Sequence, residues 1–137
     1  MQKEHILALS AFKASANINP KLWQSINNEG LVYFELGERK KAIKKWRRVL
    51  TIKADPEPKL ALAIALYSID PNNSESISLA KEALQENPNY FFQEFQAEQL
   101  WGEKLQEYGQ KFFKHPKLKD VITTASANSN FTNEKDQ

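Results

Sequence analysis

Along most of the chain, apolar side chains recur every three or four positions rather than every second one. Between Trp23 and Leu36 they fall at 23, 26, 30/31 and 33/34, close to the period of one helix face. Gly37 and Glu38 interrupt the pattern. It resumes from Arg39 to Lys53, with Ala42, Ile43, Trp46, Val49 and Leu50 on one stripe. Asp55 and Pro56 read as a helix start: aspartate suits the cap, and proline at the first helical position gives up an N–H that would be unpaired anyway. This predicts a helix from Pro56 to Ile69, a turn at Asp70-Pro71-Asn72-Asn73, and a helix capped by Ser74 that runs to about Glu86. Earlier, residues 3–17 form a helix that ends near Asn19-Pro20. After Asn87-Pro88-Asn89 the pattern predicts helices over Tyr90–Trp101, Gly102–Lys114 and Pro116–Thr123. No stretch alternates as a half-buried strand would. The expected fold is therefore all-α, with about seven or eight helices in a single domain over residues 1–123. The polar residues 124–137 are expected to be a disordered tail.

The chain also repeats itself. Tyr33, Tyr67 and Trp101 are spaced by 34 residues. The same interval relates Ala8 to Ala42, Phe12 to Trp46, and Ala16 to Leu50 and Leu84, while Pro20 and Pro88 are two intervals apart. Offsets that share one period imply a structural unit, here a pair of helices, that stacks on its neighbours to bury a continuous core.

These positions resemble the tetratricopeptide repeat family, whose pattern is W-x2-L-G-x2-Y, then A-x3-F, then P. Ala8-x3-Phe12 with Pro20 is similar to the second helix of a repeat whose first helix is absent. Ile26-x2-Glu29-Gly30-x2-Tyr33, Gly37, Ala42-x3-Trp46 and Leu50 are similar to a full repeat over 23–56. Leu60-x2-Ala63-Ile64-x2-Tyr67, Ser76-x3-Ala80, Ala83, Leu84 and Pro88 are similar to another over 57–90. The match departs from the family at Glu29, where leucine is usual, at Ala54 in the proline position, at Ile64 for a small residue and at Ala80 for a large one. Beyond Pro88 the phase fades: Gln110 and Lys114 stand where Ala and Phe would fall, and Leu105 lies outside the phase. Residues 90–123 are then divergent capping helices, as expected where a solenoid must end in a polar face. The run Gln99-Leu100-Trp101-Gly102-Glu103-Lys104-Leu105 resembles the end of some bacterial, especially cyanobacterial, proteins of the same family.

The resemblance implies a right-handed α-solenoid that acts as a scaffold for protein binding, with the first helix of each pair lining a concave face. The lining positions are Gln24, Asn27, Leu31 and Phe34 in one repeat, and Pro58, Ala61, Ala65 and Ser68 in the next. No lysine or arginine accompanies Asn27, so a clamp for a chaperone's terminal carboxylate is not expected. The small, apolar lining suits a partner helix or peptide, with Asn27 anchoring backbone groups and Leu31 and Phe34 giving apolar area. Alternatively, the chain's own phenylalanine-rich C-terminal helices fold back into that space.

Composition narrows the chemistry. The 137 residues contain no cysteine and two histidines, His5 and His115, at opposite ends of the chain. Disulfides, thiolate ligands and a cysteine nucleophile are excluded, and histidine-based metal or hydrolytic sites start badly. The four glycines do not cluster into a phosphate loop. Carboxylates such as Glu94 and Glu98 share a helix face without a catalytic partner. Neither an enzyme, a metal site nor a cofactor is expected. No apolar run reaches the length of a membrane span, and the N-terminus lacks the apolar stretch of a signal peptide, which predicts a cytoplasmic chain.

The net charge is only +2, but Arg39, Lys40, Lys41, Lys44, Lys45, Arg47 and Arg48 place seven cations within ten residues. Such a face is either simply solvated or tracks phosphates on nucleic acid or another anionic surface. Trp46, on the apolar stripe, is expected in the core, as are the other repeat-phased aromatics. Phe91, Phe92 and Phe95 cannot all share one helix side, so one of them is a candidate interface anchor. Finally, Ile6, Leu7, Leu9 and Phe12 on an unpaired first helix offer a surface for self-association, such as a homodimer.

Overall fold

The computed structural model describes residues 2–18 and 22–131. Eight α-helices follow one another: α1 (Gln2–Ile18), α2 (Trp23–Glu35), α3 (Arg39–Ile52), α4 (Pro56–Ile69), α5 (Ser74–Glu86), α6 (Gln93–Glu98), α7 (Glu103–Phe112) and α8 (Lys119–Asn128). Short 3-10 turns at Pro88–Phe91 and Pro116–Leu118 link the later ones. Among the described residues there is no strand. Successive helices α1 to α5 pack in order, as in a helical stack, and α7 crosses back to lie on both α2 and α4.

Local chemistry sets the helix ends. The α2–α3 turn is closed by Glu38 N–H donating to the Tyr33 carbonyl (2.9 Å) and Gly37 N–H to that of Phe34 (3.0 Å). This double closure needs a left-handed residue, and Gly37 supplies it at φ +84° without a Cβ penalty. Asp55 caps α4 as expected, accepting from Glu57 N–H at 3.1 Å. The cap of α5 is Asn73 rather than Ser74: its Oδ1 accepts from Ser76 N–H at 2.9 Å, and Ser74 is the first helical residue. The turn expected at Asn19-Pro20 lies outside the described residues.

The two repeated pairs solve one packing problem in opposite ways. In α2 and α3, Gly30 faces the fully buried Trp46, and a Cβ at Gly30 would sit 2.7 Å from the indole. The same phases in α4 and α5 hold Ile64 and Ala80, both fully buried. Large and small residues exchange places between the two helices, which accounts for both departures from the repeat pattern while keeping the interior close-packed. The third departure, Glu29, is buried and ion-paired with Lys45 Nζ at 3.2 Å.

The C-terminal third differs from the sequence expectation. The helix expected over Tyr90–Trp101 is a 3-10 turn followed by the short α6. α6 ends with the same double closure as α2: Trp101 N–H donates to the Gln96 carbonyl (3.1 Å) and Leu100 N–H to that of Ala97 (3.0 Å). Here the left-handed residue is Leu100, at φ +68°. The last helix runs to Asn128, so Thr124–Asn128, expected in the disordered tail, is helical. Asn89 Oδ1 accepts from Ser129 Oγ–H (2.6 Å), Asn130 N–H (3.1 Å) and Phe131 N–H (3.2 Å), which pins the chain beyond α8. The rest of the expected tail, residues 132–137, lies outside the described residues. Phe131 packs near Phe92 and Phe95, at ring separations of 5.8 and 5.7 Å. Phe91 packs near Phe113 at 5.4 Å. Each of the three phenylalanines considered as an interface anchor is thus half-buried within the chain.

Candidate functional site

Two surfaces follow from the sequence: the inner face of α2 and α4, and the basic face of α3. On the inner face, Asn27, Leu31, Phe34, Pro58, Ala61 and Ala65 are buried, Ser68 is half-buried, and Gln24 is exposed. Much of the cover comes from α7. The Phe34 ring meets Tyr108 edge to face at 5.9 Å, and Tyr67 meets Phe112 at 4.8 Å. Gly109 brings the α7 backbone against Ile64, where a Cβ would come within 3.2 Å of Cδ1. Leu105, outside the repeat phase, is fully buried, as is Phe112. The Glu35 carboxylate, at the end of α2, accepts from the Lys104 and Leu105 N–H groups at 3.0 and 3.1 Å. These are first-turn donors of α7 with no partner inside their own helix, so Glu35 caps α7 from another element. Of the two occupants the sequence leaves open, the chain's own C-terminal helix holds this space.

The polar end of the same face has a different character. Glu57, in the first turn of α4, accepts from Asn27 Nδ2 (2.8 Å), Trp101 Nε1 (3.3 Å) and the Tyr90 hydroxyl (3.4 Å). Burial pushes the Glu57 carboxyl above its ordinary value, and the donated hydrogen bonds oppose that shift only in part. The Tyr90 hydroxyl is pushed up as well, first by burial and then by the charge of Glu57. An acid in the first turn of a helix is commonplace, so the sequence gave no sign that Glu57 gathers three donors from three elements.

On α3, Lys40, Lys41, Lys44, Arg47 and Arg48 are exposed, while Arg39 and Lys45 are half-buried. Several cations are committed to the fold. Arg39 donates to the Ser68 carbonyl (2.9 Å) and lies over the Tyr108 ring (5.8 Å). Lys45 answers Glu29. Arg47 binds both oxygens of Glu75 at 2.8 and 2.9 Å, which holds that carboxyl below its ordinary value. Lys41 reaches Glu38 at 3.4 Å. Among the described residues no ion pair involves Lys40, Lys44 or Arg48. A cleft of about 450 Å³ is lined by Tyr33, Lys41, Lys44, Lys45 and Arg48. Lys13 of α1, which the sequence did not associate with this patch, stands over the Tyr33 ring at 5.4 Å. The basic face is therefore built by two helices, not one.

On α1, Ile6 and Leu7 are exposed, whereas Leu9 is buried and Phe12 half-buried. Among the described residues no three His, Asp or Glu side chains gather as metal ligands, and no helix is long and apolar enough to cross a membrane. His115 accepts Lys117 N–H at its Nδ1 (3.1 Å), capping the turn before α8. No protein-family model, curated protein or solved structure matches the chain.

Proposed function

We propose that this chain is a non-catalytic interaction module of the tetratricopeptide kind, an α-solenoid scaffold that engages a polyanionic partner through the outer face of α3. One observation carries the reading: Lys40, Lys44 and Arg48 are exposed without an acidic neighbour on a face that Lys13, Lys41 and Lys45 extend. Clustered charge suffices to track phosphates, and it is local enough to act despite a small net charge. Fluorescence anisotropy with a labelled single-stranded oligonucleotide tests it. Binding is expected to weaken linearly on a log–log plot as salt rises, and the Lys44→Glu, Arg48→Glu double variant should lose roughly tenfold in affinity or more. Equal binding by the double variant would sink the proposal.

A second reading is supported by the seating of α7. The inner face accommodates an amphipathic helix, so a partner helix could bind there by exchange, meeting Leu31, Phe34, Ala61 and Ala65. Exposing Leu105 and Phe112 alone would cost about 3–6 kcal/mol, which such a partner must exceed. This cost is why the outer face is the first reading.

A further inference from the structure

Where α7 leaves the inner face uncovered, a cavity of about 190 Å³ remains, with Trp23, Gln24, Asn27, Glu57, Glu98 and Leu100 in its wall. No lysine, arginine or histidine lines it. Its polar groups are unbalanced toward acceptors. Asn27 is only 2% exposed, its amide nitrogen is spent on Glu57, and its Oδ1 has no hydrogen-bond partner. A buried acceptor left without a donor costs free energy that a bound donor would recover. Glu57 and Glu98 add two carboxylates on either side, one buried and one exposed. The Trp23 ring adds an aromatic surface of the kind that attracts cations.

We propose that this cavity binds a primary ammonium group presented by a partner polypeptide, from a lysine side chain or a free N-terminus. An ammonium carries three donors and no acceptor, which matches Asn27 Oδ1, Glu57 and Glu98 in number and sign. The positive charge would also relieve the burial that keeps the Glu57 carboxyl above its ordinary value. The site is independent of the basic face and takes the opposite charge.

The test is a titration of the 15N-labelled full chain with n-butylammonium chloride at constant ionic strength, following the Trp101 indole N–H and the Asn27 side-chain amide. A saturable shift in the millimolar range is expected, with none from n-butanol, which has the same carbon chain without the charge. Glu98→Gln, an exposed substitution that leaves the fold intact, should weaken binding roughly three- to fivefold. Nα-acetyl-lysine N-methylamide and glycine amide then separate the two sources. Saturation by the first alone identifies a lysine side chain, and by the second alone an N-terminus. No saturable shift with n-butylammonium, an equal shift with n-butanol, or unchanged affinity in Glu98→Gln would each overturn the proposal.

Discussion

The repeated pairs α2–α5 and the C-terminal segment 88–131 are held together by different means. In the pairs, apolar stripes meet over long helices, and a volume lost on one helix is restored on its neighbour, as in Gly30 with Trp46 against Ile64 with Ala80. In the C-terminal segment the helices are short and side chains tie distant backbone groups. Glu35 caps α7 across 70 residues, Gln96 Nε2 donates to the Tyr90 carbonyl at 2.7 Å, and Asn89 holds residues 129–131. A stack of long helices tolerates departures from its pattern where volume is conserved. A segment of short helices depends on single polar contacts, because helices of this length are marginal without them.

Substitutions that strike one region and spare the other sharpen this contrast. The largest effect is expected from Trp46→Ala, which empties the buried site beside Gly30. It should cost about 3–5 kcal/mol in urea unfolding and lower protection from hydrogen exchange throughout the chain. Glu35→Ala should cost less, about 1–2 kcal/mol, since it removes a cap rather than a core side chain. Its effect should be confined: exchange should quicken in α7 while α2–α5 stay protected. Uniform loss of protection in Glu35→Ala would erase the distinction between the regions.

A smaller effect is expected at Leu100, whose side chain is 73% exposed and whose φ is +68°. Glycine there relieves the left-handed strain and gives up little packing, partly offset by a freer unfolded chain. Leu100→Gly should therefore raise stability by about 0.5–1 kcal/mol, read as a higher urea midpoint. The smallest is a pH effect at Glu57, which faces Asn27, Trp101 and Tyr90, with Asp55 nearby. Its folded carboxyl lies above 4.5, so between these two values the folded state holds a proton that the unfolded state has released. Stability from this group is present at acid pH and declines as pH rises from about 4.5 through the folded value. Glu57→Gln lacks that decline, so melting temperatures should shift in favour of the variant as pH rises across this window.

The contrast also explains what could be read from the sequence. The helices of the pairs were legible because period, caps and turns agree: Gly37 and Asp55-Pro56 mark helix ends that the structure keeps. The end of α6 was not legible, because the residue taking the left-handed conformation is Leu100, which carries no turn signal and even looks helical. Leu105 was set aside for its phase, since a helix that folds back on its neighbours obeys a stripe of its own. The basic face could be read from α3 alone, but Lys13 joins it only through the packing of α1. Asn27 was singled out as a lining residue, yet its partners Glu57 and Trp101 lie 30 and 44 or more positions from one another's neighbourhoods in the chain. No local pattern could have joined them.

The central claim is that α7 occupies the inner face of the stack, which leaves the charged outer face and the small polar cavity as the open surfaces. An isotope-edited NOESY spectrum of the full chain tests it most directly. Cross-peaks are predicted between the Ile64 δ1 methyl and the Gly109 α protons, between the Phe34 and Tyr108 rings, and between the Tyr67 and Phe112 rings. Absence of these cross-peaks, with α7 amides exchanging at unstructured rates while α2–α5 remain protected, would contradict it and return the inner face to an incoming partner helix.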